Sequence, residues 1–115
     1  DAVINESDVL IGNRITRFYG TGRSCRVEIE LAHVGDQWSY GASIQAGHTG
    51  SSFAPSFKWN EFDSFEAAER EAVAYATERL RSMAHKDADQ CVRRAAADLL
   101  RMLEQAQYTE QTESA

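Results

Sequence analysis

The sequence predicts an α+β domain: a three- to four-stranded antiparallel sheet over about residues 13–60, packed by an amphipathic helix over about 64–84, with a second C-terminal helix over about 87–107. Three observations carry this. Apolar and polar residues alternate from Cys25 to His33 and again from Gln37 to Gln45, the period-two signature of a strand with one wet face. Glycine-containing turns separate the runs. From Phe65 onward the apolar spacing lengthens to that of a helix.

The chain has 115 residues, the size of one domain, read as residues 1–107 with a disordered tail at 108–115. Hydrophobic residues make up 43%, and a domain near this size buries roughly two thirds of the surface its unfolded chain exposes, so no disulfide, metal or cofactor is needed to hold it. The net charge of −6 opposes non-specific nucleic-acid binding, which depends on Lys and Arg neutralising phosphates. Residues 1–60 carry six acids and five bases, residues 61–115 twelve acids and seven bases, which assigns the acidity to the helices. Cys25 and Cys91 form no CxxC pair and read as free thiols of a reducing compartment. No apolar run approaches the ~18 residues of a membrane span and no signal peptide is visible, so a cytoplasmic protein is expected.

In chain order, residues 1–12 are a lead-in with an apolar knot at Val9, Leu10 and Ile11. Asn13 to Tyr19 reads as a strand and Gly20-Thr21-Gly22 as the turn of a hairpin. In the next strand Cys25, Val27, Ile29 and Leu31 share one face, and Arg26, Glu28 and Glu30 the other. Gly35-Asp36 turns the chain into a third strand, with Trp38, Tyr40, Ala42 and Ile44 inward and Gln37, Ser39, Ser43 and Gln45 outward. Residues 47–52 read as a polar loop. Phe53, Pro55, Phe57 and Trp59 alternate in a fourth segment, which its proline confines to a sheet edge.

The first helix opens on Asp63-Ser64, a carboxylate or hydroxyl cap, with Glu66 completing a capping-box pattern. Phe65, Ala68, Ala72, Ala76, Leu80 and Met83 form its apolar stripe, and Glu66, Glu69, Arg70, Glu78 and Arg81 the opposite face. Val92, Ala95, Leu99, Met102 and Ala106, broadened by Ala96 and Leu103, form a second stripe. Met83 and Val92 are half a turn out of phase on a straight helix, which predicts a break near 84–88, with Asp87 and Gln90 as a fresh capping box. The alternative is one long helix whose second half packs on another chain.

Four arginines, Arg14, Arg17, Arg23 and Arg26, fall between Gly12 and Val27 with no acid among them and with Phe18 and Tyr19 interleaved. Arginines with aromatics on a strand-turn-strand suit phosphates and bases, so Arg14, Arg17, Tyr19, Arg23 and Arg26 are the candidate nucleic-acid surface; a solvated hairpin whose arginines pair with Glu28, Glu30 or the acidic helix is the plainer reading. Gly20-Thr21-Gly22-Arg23-Ser24 is no phosphate loop, because a strand and not a helix follows it. His33, His48 and His85 show no metal-ligand spacing, and His48 with Ser51 and Ser52 has no oxyanion motif.

The layout from Trp38 to Leu80, including Phe62-Asp63-Ser64-Phe65-Glu66-Ala67-Ala68, resembles the arm-binding domains of phage integrases and the related AP2-type DNA-binding domains. That resemblance implies strands entering the major groove with Gln37, Ser39, Ser43, Gln45 and Arg26 outward; Glu28 and Glu30 share this face, where those families place bases. Sheet followed by helix is also similar to double-stranded-RNA-binding domains, whose final helix opens with lysines where this one opens Ser64-Phe65-Glu66. No family is assigned on either pattern.

The reading that results is a non-enzymatic protein-interaction module of the kind found among phage and mobile-element accessory or inhibitor proteins. Its partner is a host protein, bound through an acidic helical face or the polar sheet face. Self-association as a homodimer is expected through Val92, Ala95, Leu99, Met102, Leu103 and Ala106. The alternative is a nucleic-acid-binding domain using the arginine hairpin.

Overall fold

A computed structural model describes residues 3–4, 10–11, 14–20, 22, 24–34, 37–53, 62–84 and 88–113. The elements run β1 (Val3–Ile4), β2 (Leu10–Ile11), β3 (Arg14–Gly20), β4 (Cys25–Val34), β5 (Gln37–Ala46), β6 (Thr49–Phe53), α1 (Phe65–Met83), α2 (Gln90–Glu104) and β7 (Thr109–Glu113). The last five strands form one antiparallel sheet in the order β6-β5-β4-β3-β7, with both helices packed on one face; β1 and β2 pair separately. The expected α+β architecture is present, with more strands than the sequence pattern indicates.

The β4–β5 register sets the two faces. Val27 lies opposite Ile44, Ile29 opposite Ala42 and Leu31 opposite Tyr40, all buried beneath the helices. Ala68, Ala72 and Ala76, each fully buried at four-residue spacing, let α1 approach the sheet closely, and Leu80 extends the same stripe. The Ser64 hydroxyl, not the Asp63 carboxylate, caps α1, accepting from the Ala67 amide at 3.1 Å.

The chain breaks at Ala84, the C-cap of α1, and α2 folds back against α1 and the inner face. This settles the phase discontinuity against one long helix reaching to another chain. Asp89, not Asp87, caps α2, its carboxylate accepting from the Cys91 amide at 2.8 Å; Asp87 and His85 lie outside the described residues.

Two expectations are corrected at the sheet edges. Residues 49–52, read as loop, belong with Phe53 to β6: Ala46 pairs with Thr49 across a two-residue turn, Gly47-His48, and Gly47 has φ +63°. Thr-Gly-Ser-Ser has no apolar alternation to betray a strand, because this one is held by the backbone ladder. The segment with Pro55, Phe57 and Trp59 lies outside the described residues. The tail, read as disordered, supplies β7, paired to β3 from Thr109 opposite Phe18 to Glu113 opposite Arg14. The four residues 105–108 join α2 to β7 and turn at Ala106, whose φ is +52°.

The acidity is also not where the sequence halves place it. α1 carries four acids and three bases, and α2 two acids and three bases. The excess of carboxylates belongs to the segments flanking the helices and to β7, so neither helix presents a strongly acidic face.

Candidate functional site

β3 carries the first surprise. Its register with β4 places Ile15, Arg17 and Tyr19 on the helix side and Thr16 and Phe18 on the outer side. The Arg17 guanidinium is therefore under the helices, 12% exposed, paired with the carboxylates of Glu69 on α1 and, at 2.9 Å, Glu110 on β7. The rings of Phe65 and Tyr108 lie 5.2 and 4.6 Å from its Cζ. Tyr19 is 3% exposed and packs on Tyr108 at 5.4 Å; burial pushes its phenol above the ordinary value, against a smaller lowering by Arg17.

Among the described residues the candidate nucleic-acid residues do not share one face. Arg17 and Tyr19 belong to the core side, Arg26 is on the outer face, and Arg23 lies outside the described residues. The backbone of Arg14 pairs opposite Ala32. Alternation splits any strand's arginines between two faces, so a cluster in sequence is not one in space.

Most of the candidate dimer stripe faces inward. Val92, Ala95, Leu99 and Leu103 are buried in this chain's own core. A second copy reaches them only if they leave it. Met102 is half-buried, and Ala106 lies past the end of α2, exposed.

The groups that sequence reasoning weighed for chemistry are dispersed. His33 stacks on Trp38 at 4.4 Å near the end of β4 opposite Cys25. The Cys25 thiol donates to the Ala95 carbonyl at 3.8 Å and is pushed up by burial, then by Asp98 and Cys91. That makes it a poor nucleophile. It lines a cavity of about 660 Å³ with Ser24, Asp89, Cys91 and Arg94. Among the described residues no three His, Cys, Asp or Glu side chains are grouped to hold a metal ion.

The remaining surface is the sheet's outer face. Thr16 and Phe18 of β3, Arg26, Glu28 and Glu30 of β4, and Ser43 and Gln45 of β5 share it, each half-buried. Among the described residues no helix covers this face. It is closed at one end, where Ala32 and its register partner Ser39 are fully buried; β2 lies against β4. Ser39, expected outward and wet, is outward but not wet. At the other end, Arg26, Ser43, Gln45, His48, Gly50 and Ser52 line a polar cleft of about 430 Å³.

Among the described residues no helix is long and apolar enough to cross a membrane. Comparison of the chain with models of protein families, with curated protein sequences and with solved structures yields no match.

Proposed function

We propose that the protein is a non-enzymatic interaction module that binds a protein partner on the outer face of its sheet. One observation carries the reading: both helices spend their apolar faces on one side of the sheet, while the other side presents half-buried polar side chains around Phe18 with no helix over them among the described residues. Such a face already has its backbone hydrogen-bonded and its side chains partly ordered by their strand neighbours, which lowers the entropy cost of docking. Phe18, flanked by Thr16, Glu28 and Thr109, supplies an aromatic anchor within a polar surround, the composition of a binding patch. The mixed charge of this face and the chain's net −6 favour a protein over a nucleic acid. The dispersal of His33, His48 and Cys25 favours binding over catalysis.

Site-directed photo-cross-linking tests this. A photoreactive phenylalanine analogue at Phe18, on the outer face, is compared with one at Ala74, exposed on α1. In extract of the source cell the Phe18 probe is expected to give discrete adducts that excess unlabelled protein competes away, and the Ala74 probe none. Equal labelling from both positions, or competed labelling from Ala74 alone, overturns the assignment of the face.

A further inference from the structure

β7 can leave the sheet without disturbing the core. Thr109, Glu110 and Gln111 are exposed, and among the described residues nothing in 105–113 belongs to the buried core. The ladder to β3 is reinforced by the Glu110–Arg17 ion pair and by the Tyr108 ring, which meets the Arg17 guanidinium and the Tyr19 ring. A terminal segment held in this way opens locally at a free energy well below that of the whole fold. Its tether is also strained. Residues 105–108 are the whole connection from α2, and all four are exposed. The turn closes with the Gln107 amide on the Met102 carbonyl and the Ala106 amide on the Leu103 carbonyl, which holds Ala106 at φ +52°. That region disfavours a residue with a β-carbon. A short hinge under strain favours exchange of the element it carries between copies, because opening relieves the strain and the exchanged element regains its contacts.

Apolar groups surround this hinge. Phe18, Gly20, Met102, Gln107, Tyr108 and Thr109 line a notch of about 350 Å³, and Tyr108, 37% exposed, is the large hydrophobic side chain that the described residues leave open to solvent. The length of the hinge fixes what can come to it. From the end of α2 to the start of β7 the extended chain spans no more than about 18 Å. A second copy that receives β7 must therefore bring its own β3, with its own notch, within that reach. The exchange is reciprocal, so the two hinges face one another across a two-fold axis and each copy's Met102 and Tyr108 lie near the other's.

We infer that a second copy of this chain receives β7 on its β3, giving a reciprocal strand-swapped dimer hinged at residues 105–108. The place that β7 vacates specifies the occupant. When β7 leaves, Arg17, only 12% exposed, keeps Glu69 but loses the Glu110 carboxylate and the Tyr108 ring. A strand of another sequence restores the backbone ladder alone. An identical strand also restores the carboxylate and the ring two residues before it. The swapped pair thus regains the β3–β7 contacts of the closed chain and frees Ala106 from the left-handed region. The net charge of −6 on each copy opposes association, but physiological salt screens exposed charges beyond about 8 Å. The inference is independent of the outer-face reading, because each copy keeps a complete outer face, with the other chain's Thr109 beside its Phe18.

Two measurements on the full chain test this. Sedimentation equilibrium from micromolar to millimolar concentration should show a monomer–dimer equilibrium. A Thr16→Cys chain and a Gln111→Cys chain, mixed in equal amounts, incubated and then oxidised with glutathione disulfide, should give a covalent dimer. Positions 16 and 111 are register partners across β3 and β7, and neither variant carries both cysteines, so a 16–111 link requires one chain's β7 on the other's β3. Mass spectrometry of the linked peptides separates this link from any formed by Cys25 or Cys91. Ala106→Gly, which removes the strain from the closed turn, should weaken the dimer about tenfold, and deletion of Gln107, whose amide closes that turn, should strengthen it. A monomer at every concentration overturns the inference. So does a dimer without the 16–111 link, or one that Ala106→Gly leaves unchanged. If the Gln107 deletion does not fold, the cysteine mixture and Ala106→Gly still decide the matter.

Discussion

Arg17 joins three elements that are far apart in the chain. It stands on β3, pairs with Glu69 of α1 and Glu110 of β7, and lies between the rings of Phe65 and Tyr108. A guanidinium suits this place because its planar fork bonds two carboxylates while its faces meet aromatic rings. Arg17→Met keeps much of the stem but removes the charge and the fork. It is expected to destabilise the fold by about 2 kcal/mol, since charge-assisted hydrogen bonds at a mostly buried site are lost while Glu69 and Glu110 can rehydrate. Urea unfolding should show a lower midpoint with an unchanged slope. With Glu69→Gln added, the double variant should lose less than the two singles together. Strict additivity would mean that the pair makes no coupled contribution. Nothing local in the sequence marks Arg17 for this role. Its neighbours Phe18 and Tyr19 suggest a stacking surface, whereas the rings that flank it are tens of residues away and reach it only through the fold. The outer-face residues were more legible, because strict alternation in 25–33 and 37–45 fixes which side each occupies; Ser43 and Gln45 are where that pattern places them.

The end of α2 shows what an element-level reading can and cannot see. Its start and stripe follow from spacing, but its stop does not. The helix closes with the Gln107 amide on the Met102 carbonyl at 2.9 Å and the Ala106 amide on the Leu103 carbonyl at 3.2 Å. This double bond pattern needs its central residue in the left-handed region, and Ala106 adopts φ +52°. Glycine is the usual occupant and the usual sequence signal; alanine looks like one more helical residue, so spacing alone carries the stripe to 106 and leaves the strand beyond it as tail. β7 itself, Thr-Glu-Gln-Thr-Glu, is polar on both faces and offers no period to detect. A left-handed conformation costs an L-residue with a β-carbon about 1–2 kcal/mol, partly offset by the greater unfolded-state freedom of glycine. Ala106→Gly is therefore expected to stabilise the protein by about 0.5–1 kcal/mol and to slow hydrogen exchange in β7, whose approach to β3 depends on this turn. A lower denaturation midpoint or faster exchange in residues 109–113 would contradict this account of the turn.

At the scale of the molecule, the division of labour between the sheet's faces governs both stability and use. The inner face was readable because apolar periodicity records burial; the outer face is readable only as polar, since periodicity says nothing of what meets it. The inner face also has a titration consequence. It buries neutral acids: Tyr19, Tyr40 and Cys25 are each held above their ordinary values chiefly by desolvation, with Glu71 and Tyr75 adding to Tyr40, and Asp98 and Cys91 to Cys25. Groups raised in the folded state contribute stability that is complete below their unfolded values, 9.0 for the thiol and 10.0 for the phenols, and is lost as pH rises through the folded ones. Over that range the unfolded chain releases protons that the folded chain keeps, so stability falls with pH. The urea midpoint is expected to be insensitive to these three groups up to about pH 8 and to decline above pH 9 and more steeply above pH 10, with tyrosine absorbance near 295 nm rising in step with unfolding. Tyr19→Phe removes one contributor along with its hydroxyl, and should flatten the alkaline decline whatever it does to stability at neutral pH. A midpoint constant to pH 11, or a slope that Tyr19→Phe leaves unchanged, would show that Tyr19 is hydrated in the folded protein and that the β3 end of the core is open where the fold packs it against α2 and Tyr108.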